Sequence, residues 1–112
     1  MLASVYRLPK NDFDKVKKDG RLYQSENFGV QVLSKELGGN LRFAFIVSSK
    51  ISNQAVQRNR IKRAMSEAIR QRMNLFKRGY DIIFLPKREI VSKSTDVIMN
   101  EIHNFITQKL SG

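Results

Sequence analysis

The fold of this chain is decided by residues 55–85, which read AVQRNRIKRAMSEAIRQRMNLFKRGYDIIFL. The first part places apolar side chains every three or four positions, which predicts an amphipathic helix from near Ala55 to about Phe76. Gly79 then precedes a run, 80–85, that is apolar on both faces and therefore predicts a strand covered on both sides. The centre of the chain is thus a helix followed by a buried strand.

The segments on either side complete the predicted order of elements. A short helix follows Pro9 and stops at Gly20. From 21 to 48 the apolar residues alternate with a period of two, which predicts three antiparallel strands. The sequence Gly38-Gly39-Asn40 tolerates positive φ and predicts a hairpin turn between the second and third strands. A last helix begins near Ser94 and carries an apolar stripe.

The order α-β-β-β-α-β-α predicts the α+β class. The expected architecture is a two-layer sandwich, in which three helices back a four-stranded sheet that is mainly antiparallel. No repeat, low-complexity stretch or linker marks a boundary, so a single domain, 1–112, is expected.

Composition excludes several classes of protein. Cysteine is absent and His103 is the one histidine, so disulfides and a structural zinc site have no ligands. The longest apolar run, 43–47, is too short to cross a bilayer, and the first ten residues lack the apolar stretch of a secretion signal. These features predict a cytoplasmic protein with no membrane contact, and no obligate protein partner is evident.

Positive charge is concentrated in one part of the chain. The net charge is +11, and residues 58–78 carry +7 of it, with eight cations and a single acid, Glu67. A polyanionic partner is the expectation, and arginine can bind phosphate through two parallel hydrogen bonds. The alternative is a helix face that is merely solvated. The residues predicted to bind RNA are Arg58, Asn59, Arg60, Lys62, Arg63 and Arg70.

The same helix carries the string Arg58-Asn59-Arg60 followed by Lys62-Arg63, with Glu67 one turn later. Together with an amino-terminal pattern of Arg7-Leu8, Asp12-Phe13, Val16 and Gly20, this sequence resembles the protein subunit of bacterial ribonuclease P. The resemblance extends from about Arg7 to the last helix.

The resemblance implies a non-catalytic subunit of an RNA-based endoribonuclease. In that family a large catalytic RNA, using Mg²⁺, removes the 5′ leader of precursor tRNA, and no metal is assigned to the protein. The basic helix docks on the catalytic RNA, and a cleft between the first helix and the sheet holds the single-stranded leader. A left-handed crossover around the basic helix is also expected. The cleft residues implied here are Phe13, Lys17, Phe28, Gln31 and Lys50.

Four positions depart from the family pattern. Lys17 and Gln31 stand where the family often has aromatic residues, and Ser66 stands where it often has arginine. Ser49 replaces a usual lysine. Because single strands are held by ring stacking and by cations along the backbone, these changes put leader preference and RNA affinity in question.

Two other functions remain open on sequence alone. A nuclease with a protein active site would need clustered carboxylates or a histidine pair, and the ten acids are scattered. A ribosomal or RNA-assembly protein of similar small α+β fold is the stronger alternative, because a fold does not assign a function.

Overall fold

The structure is a computed structural model that describes residues 2–111. It confirms the predicted class and the predicted order of the main helices and strands. The helices are α1 (Phe13–Asp19), α2 (Ala55–Gln71) and α3 (Thr95–Phe105), and the strands are β1 (Arg21–Gln24), β2 (Phe28–Leu37), β3 (Leu41–Phe45) and β4 (Arg78–Pro86).

Helix α2 ends earlier than predicted. The sequence pattern extends it to Phe76, but the helix stops at Gln71 and one 3₁₀ turn follows at Met73–Leu75. Phe76 is then free to pack, with its ring centroid 5.9 Å from that of Phe43 and 6.0 Å from that of Tyr80. The apolar period continued past the helix end because Phe76 packs into the same core from the following loop.

The predicted hairpin between β2 and β3 is wrong. The sheet order is β1-β2-β4-β3, so β4 lies between the two strands that the turn connects. Strand β4 pairs antiparallel with β2 and parallel with β3, which makes the sheet mixed. A Cβ on Gly79 would lie 2.6 Å from the carbonyl carbon of Gly39 and 2.7 Å from the oxygen of Asn40. Glycine at this position therefore lets β4 enter the gap beneath the turn.

The parallel pair β3 and β4 is joined through α2. Phe43 of β3 lies opposite Ile82 of β4, and the connection between the strands contains the whole basic helix. Parallel neighbours need such a crossover because a short turn cannot return the chain to the same end of the sheet. The crossover expected from the resemblance is thus present, and its left hand stays a prediction.

The two faces of the sheet are covered by different elements. Helices α2 and α3 cover one face, where Phe28 and Phe84 are fully buried. Helix α1 and the segment before it lie on the other face, where Leu8 and Val16 pack against Ile83. The two-layer sandwich therefore describes the sheet with α2 and α3, and α1 adds a partial third layer.

An ion-pair network ties the start of α1 to the sheet. Arg42 donates to the two carboxylate oxygens of Asp81 at 2.9 and 2.8 Å, and to Asp12 at 2.9 Å. The Nζ of Lys35 lies 2.9 Å from Asp81 Oδ1. Burial alone would raise the pKa of Asp81, but the hydrogen bonds from Arg42 and Lys35 outweigh burial and lower that pKa. The carboxylate is therefore ionised in the folded protein and joins β2, β3 and β4.

Within residues 2–111, no helix has the length and apolar content needed to cross a membrane. The same residues contain no group of three or more histidines, cysteines or acids placed to hold a metal ion.

Candidate nucleic-acid interface

Helix α2 separates its apolar and basic residues as predicted. Ile61, Met65 and Ile69 are fully buried under the sheet, whereas Asn59 and Arg63 are exposed. The separation follows from the helical period of 3.6 residues, since positions three and four apart share a face. The basic face of α2 is therefore available to a ligand.

Arg60 has an internal structural task. Its Nη1 donates to the carbonyl of Lys93 at 3.0 Å and its Nη2 donates to the carbonyl of Val91 at 3.0 Å. Its Nε donates to Gln57 Oε1 at 3.1 Å. The side chain thus holds α2 against the loop that leads into α3. Sequence reasoning predicted a phosphate contact for Arg60 and missed this tether, because the acceptors lie more than thirty residues away in the chain.

Two further arginines of the predicted set also have partners within the chain. Arg58 Nη1 donates to the carbonyl of Ser52 at 2.9 Å. Arg70 forms two hydrogen bonds with Glu67, one of them from Nε at 3.0 Å. These hydrogen bonds are the main cause of the lowered pKa of Glu67. Arg63 has no hydrogen-bond or ion-pair partner in the part of the chain that the structure describes. Lys62 likewise has no such partner among residues 2–111, so Arg63 and Lys62 can each bind an anion without losing a contact.

The basic helix borders two grooves. The first, here the α2–α3 groove, has a volume of about 600 Å³ and is lined by Asn59, Arg60 and Arg63 together with residues of α3. The second, here the N-terminal groove, has a volume of about 750 Å³ and lies between α2, β3, the start of α1 and the segment before it. Lys62 lines the second groove and not the first. The string that looked like one patch in sequence therefore serves two surfaces.

Three of the five residues predicted for the leader cleft lie on the same side of the sheet, on or under α1. Phe13 is half-buried and lines the N-terminal groove, and Lys17 is exposed one helical turn further along α1. Gln31 lies opposite Ile83 on the sheet face that α1 covers. Its Oε1 is buried without a hydrogen-bond partner in the protein, which marks it as a polar atom that a ligand or water would satisfy.

Phe28 does not belong to the cleft, and its predicted contact with the leader is wrong. The side chain is fully buried on the opposite face of the sheet, under α3. Its ring packs edge to face with Phe84 at 5.8 Å and with Phe105 at 6.0 Å between centroids. Side chains alternate along a strand, so Phe28 and Gln31, three positions apart, point to opposite faces.

Lys50 lies outside both grooves. It is exposed in the turn after β3, where its carbonyl accepts a hydrogen bond from Arg88 Nε at 3.0 Å. Its contact with the leader stays a prediction. Of the departures from the family pattern, Ser49 is exposed beside it, whereas Ser66 is buried and lines the N-terminal groove next to Lys62. A serine in place of arginine therefore removes a cation from this groove.

Several groove residues were not predicted from sequence. Tyr6, Arg7 and Lys10 line the N-terminal groove because the segment before α1 runs alongside β3. This placement depends on a bridge between Arg7 and Phe43, in which the amide of Leu8 donates to the Phe43 carbonyl at 2.8 Å. A single bridge leaves too short a pattern for sequence periodicity to detect.

These features define a class, namely small basic α+β proteins with unneutralised cations on one helix beside an open groove. The family model for ribonuclease P matches residues 2–110 of the chain. The ribonuclease P protein component of Finegoldia magna is 35% identical over 88 residues, covering 79% of this chain and 75% of that protein. That of Petrotoga mobilis is 35% identical over 100 residues, covering 89% and 82%. The chain belongs to the ribonuclease P protein family, whose members are the protein subunits of an endoribonuclease.

Solved structures agree with this assignment. The RNase P protein of Staphylococcus aureus superposes with a TM-score of 0.83 at 27% identity and covers 96% of this chain and 98% of that one. The RNase P protein from Thermotoga maritima shares the fold with a TM-score of 0.79 at 23% identity, covering 91% and 96%. Family membership therefore favours a role in tRNA 5′ processing over the ribosomal or RNA-assembly alternative.

Proposed function

We propose that this chain is a single RNA-binding domain that binds the catalytic RNA of ribonuclease P and the 5′ leader of precursor tRNA. By holding both, it promotes endonucleolytic removal of the leader by the RNA. The Mg²⁺ that the chemistry needs is assigned to the RNA subunit, as the family resemblance implies. The assembly would act in the cytoplasm, where tRNA precursors are made in bacteria.

The observation that carries the proposal is the free basic face of α2 in a chain of this family. Arg63 is exposed and unpaired within residues 2–111, and Asn59 is exposed beside it. A guanidinium without a carboxylate partner keeps its full attraction for phosphate. Arg58 and Arg70 border this face, although each would have to share or exchange its present hydrogen bond to contact RNA.

The leader is assigned to the N-terminal groove and the adjoining face of α1. Phe13 offers a ring, Lys17 offers an exposed cation, and Lys62 brings positive charge from α2. Single-stranded RNA is bound by this combination of stacking and charge. Because Lys62 lines the N-terminal groove and Arg63 lines the α2–α3 groove, the leader and the catalytic RNA would be bound on adjoining sides of one helix.

The test is multiple-turnover cleavage of a precursor tRNA at low Mg²⁺ by a bacterial ribonuclease P RNA, with and without the full chain, and by the chain alone. Stimulation that requires both components supports the proposal. No stimulation with a cognate RNA would refute it, and ribosomal RNA in the purified protein would then support an assembly role. Cleavage by the protein alone, surviving ribonuclease treatment, would instead indicate a protein active site.

A further inference from the structure

The α2–α3 groove contains apolar surface beside the basic face. Val56, in the first turn of α2, is 78% exposed and lines the groove together with Ala64 and Met99. An apolar side chain left in water costs free energy that a bound ligand would recover.

Arg60 forms part of the groove wall and is held rigid. Its three hydrogen bonds go to Gln57 and to the carbonyls of Val91 and Lys93, all of which are neutral acceptors. Guanidinium N–H groups donate in the plane of the group, so these bonds occupy its edge and use neither of its flat faces. The positive charge is therefore fixed in place and is not neutralised by a carboxylate. A fixed planar cation is suited to stack on an aromatic ring.

The charges around the groove select a polyanionic ligand. Arg63 and Asn59 lie at the rim without partners in the described chain. The one carboxylate among the lining residues belongs to Glu67, and it is bound to Arg70. One arginine and one amide at the rim of an apolar floor match a strand in which a phosphate lies next to a flat base.

We propose that the α2–α3 groove binds one unpaired base of an RNA strand. The base stacks on the Arg60 guanidinium and packs against Val56 and Met99, while Arg63 and Asn59 contact the adjacent backbone. The inference rests on the proposed function, since it requires that α2 binds RNA. It adds a site at which an unpaired nucleotide is distinguished from a paired one. A volume of about 600 Å³ is ample for one base.

The proposal is tested with two RNA hairpins that carry a single bulged nucleotide at the same place. In one hairpin the bulge is adenosine, and in the other it is an abasic residue, so the number of phosphates and the bend of the backbone are matched. We expect the full chain to bind the adenosine bulge about tenfold more tightly, the order of magnitude of one base–side-chain stacking contact. Equal affinity for the two hairpins would overturn the proposal.

Variants locate the effect in the groove. Val56→Ser removes apolar surface from the floor, and Thr95→Phe fills the groove from the exposed start of α3. Both should reduce the preference to within twofold, without changing the dependence of affinity on salt, because no phosphate contact is lost. Val5→Ser is the matched control, since Val5 is 72% exposed and lines neither groove.

Each remaining outcome decides the question. A preference that survives in both groove variants would place the base elsewhere and overturn the proposal. Altered sedimentation in Val56→Ser, with the base preference unchanged, would overturn it in favour of contact between copies of the chain. Binding to ribonuclease P RNA is measured in parallel: if the full chain binds neither this RNA nor the hairpins, the proposed function fails as well. If it binds this RNA and shows no base preference, the groove proposal alone fails.

Discussion

Replacing Arg60 with alanine and, separately, Arg63 with alanine should damage two different properties. The two arginines are three positions apart on α2, and the sequence gives no reason to distinguish them. In the structure, Arg60 connects α2 to the loop before α3, whereas Arg63 is exposed and unpaired within residues 2–111. Arg60→Ala should lower stability, and Arg63→Ala should weaken the electrostatic part of RNA binding.

The magnitudes follow from the contacts. Arg60 makes three hydrogen bonds at 3.0 to 3.1 Å, and a typical one contributes about 1 kcal/mol net. Because Val91 and Lys93 are half-buried, their carbonyls can partly regain water, so we expect a loss of about 2 to 3 kcal/mol. For a domain of this size that corresponds to a fall in Tm of about 10 °C. Arg63→Ala should stay within about 0.5 kcal/mol of the parent.

The assay combines urea unfolding with titration of ribonuclease P RNA at several salt concentrations. Loss of one phosphate contact lowers the slope of log affinity against log salt by about one unit, which is the result expected for Arg63→Ala. Arg60→Ala should retain most of the salt dependence of RNA affinity, provided that binding is measured under conditions in which this variant is folded. The assignment is refuted if Arg60→Ala keeps full stability and flattens the slope as Arg63→Ala does, because its guanidinium would then be bound to phosphate and not to the loop.

Three further substitutions test the network, the topology and the leader surface. Asp81→Asn should lower the free energy of unfolding by about 2 kcal/mol at pH 7, a value between those of exposed and buried ion pairs. The control is Asp14→Asn, which changes an exposed carboxylate in the same way. The pKa of Asp81 is lowered in the folded state, so its contribution to the free energy of unfolding is complete above the unfolded pKa near 3.9 and is lost as the pH falls further. Between pH 7 and pH 3, urea unfolding should therefore show a smaller fall in stability for Asp81→Asn than for the parent. Gly79→Ala should destabilise the protein by more than 1 kcal/mol in the same assay, because its Cβ would lie 2.6 Å from the backbone of the facing turn. Parent-like stability would contradict the requirement for glycine at this close contact. Lys17→Ala should weaken binding of precursor tRNA with its leader by about fivefold at physiological salt and leave mature tRNA unaffected, whereas Lys18→Ala, exposed on another side of α1, should change neither.

Local periodicity was sufficient to predict the elements of the fold, but not the strand pairing. Helix α2, strand β4 and the Ser94 cap of α3, whose side chain accepts from the amide of Val97, all follow from patterns within one segment. The turn at Gly38-Gly39-Asn40 has the chemistry of a hairpin, and it does reverse the chain. Strand β4 separates β2 from β3, and Gly79 lets it pass close to the turn through a contact between segments forty residues apart. A pattern within one segment carries no information on that contact.

The functional residues divide in the same way. The basic face of α2 could be predicted because charge and helical period are both local properties. The internal partner of each arginine could not be predicted, because the acceptors of Arg58, Arg60 and Arg70 are brought near or oriented only in the folded chain. Phe28 was misplaced for a related reason: an aromatic residue at a regular strand position is equally consistent with either face until the register of the sheet is known.

The geometry of α2 also explains how one short string can border two grooves. Successive residues on a helix are 100° apart, so Lys62 and Arg63 point to different sides although they are adjacent in sequence. One borders the N-terminal groove and the other the α2–α3 groove. The helix is rigid between them, and Arg60 fixes it to the loop before α3. A leader bound on one side and a catalytic RNA bound on the other would therefore be held at a constant separation, which is what a non-catalytic subunit must provide if its task is to position a substrate.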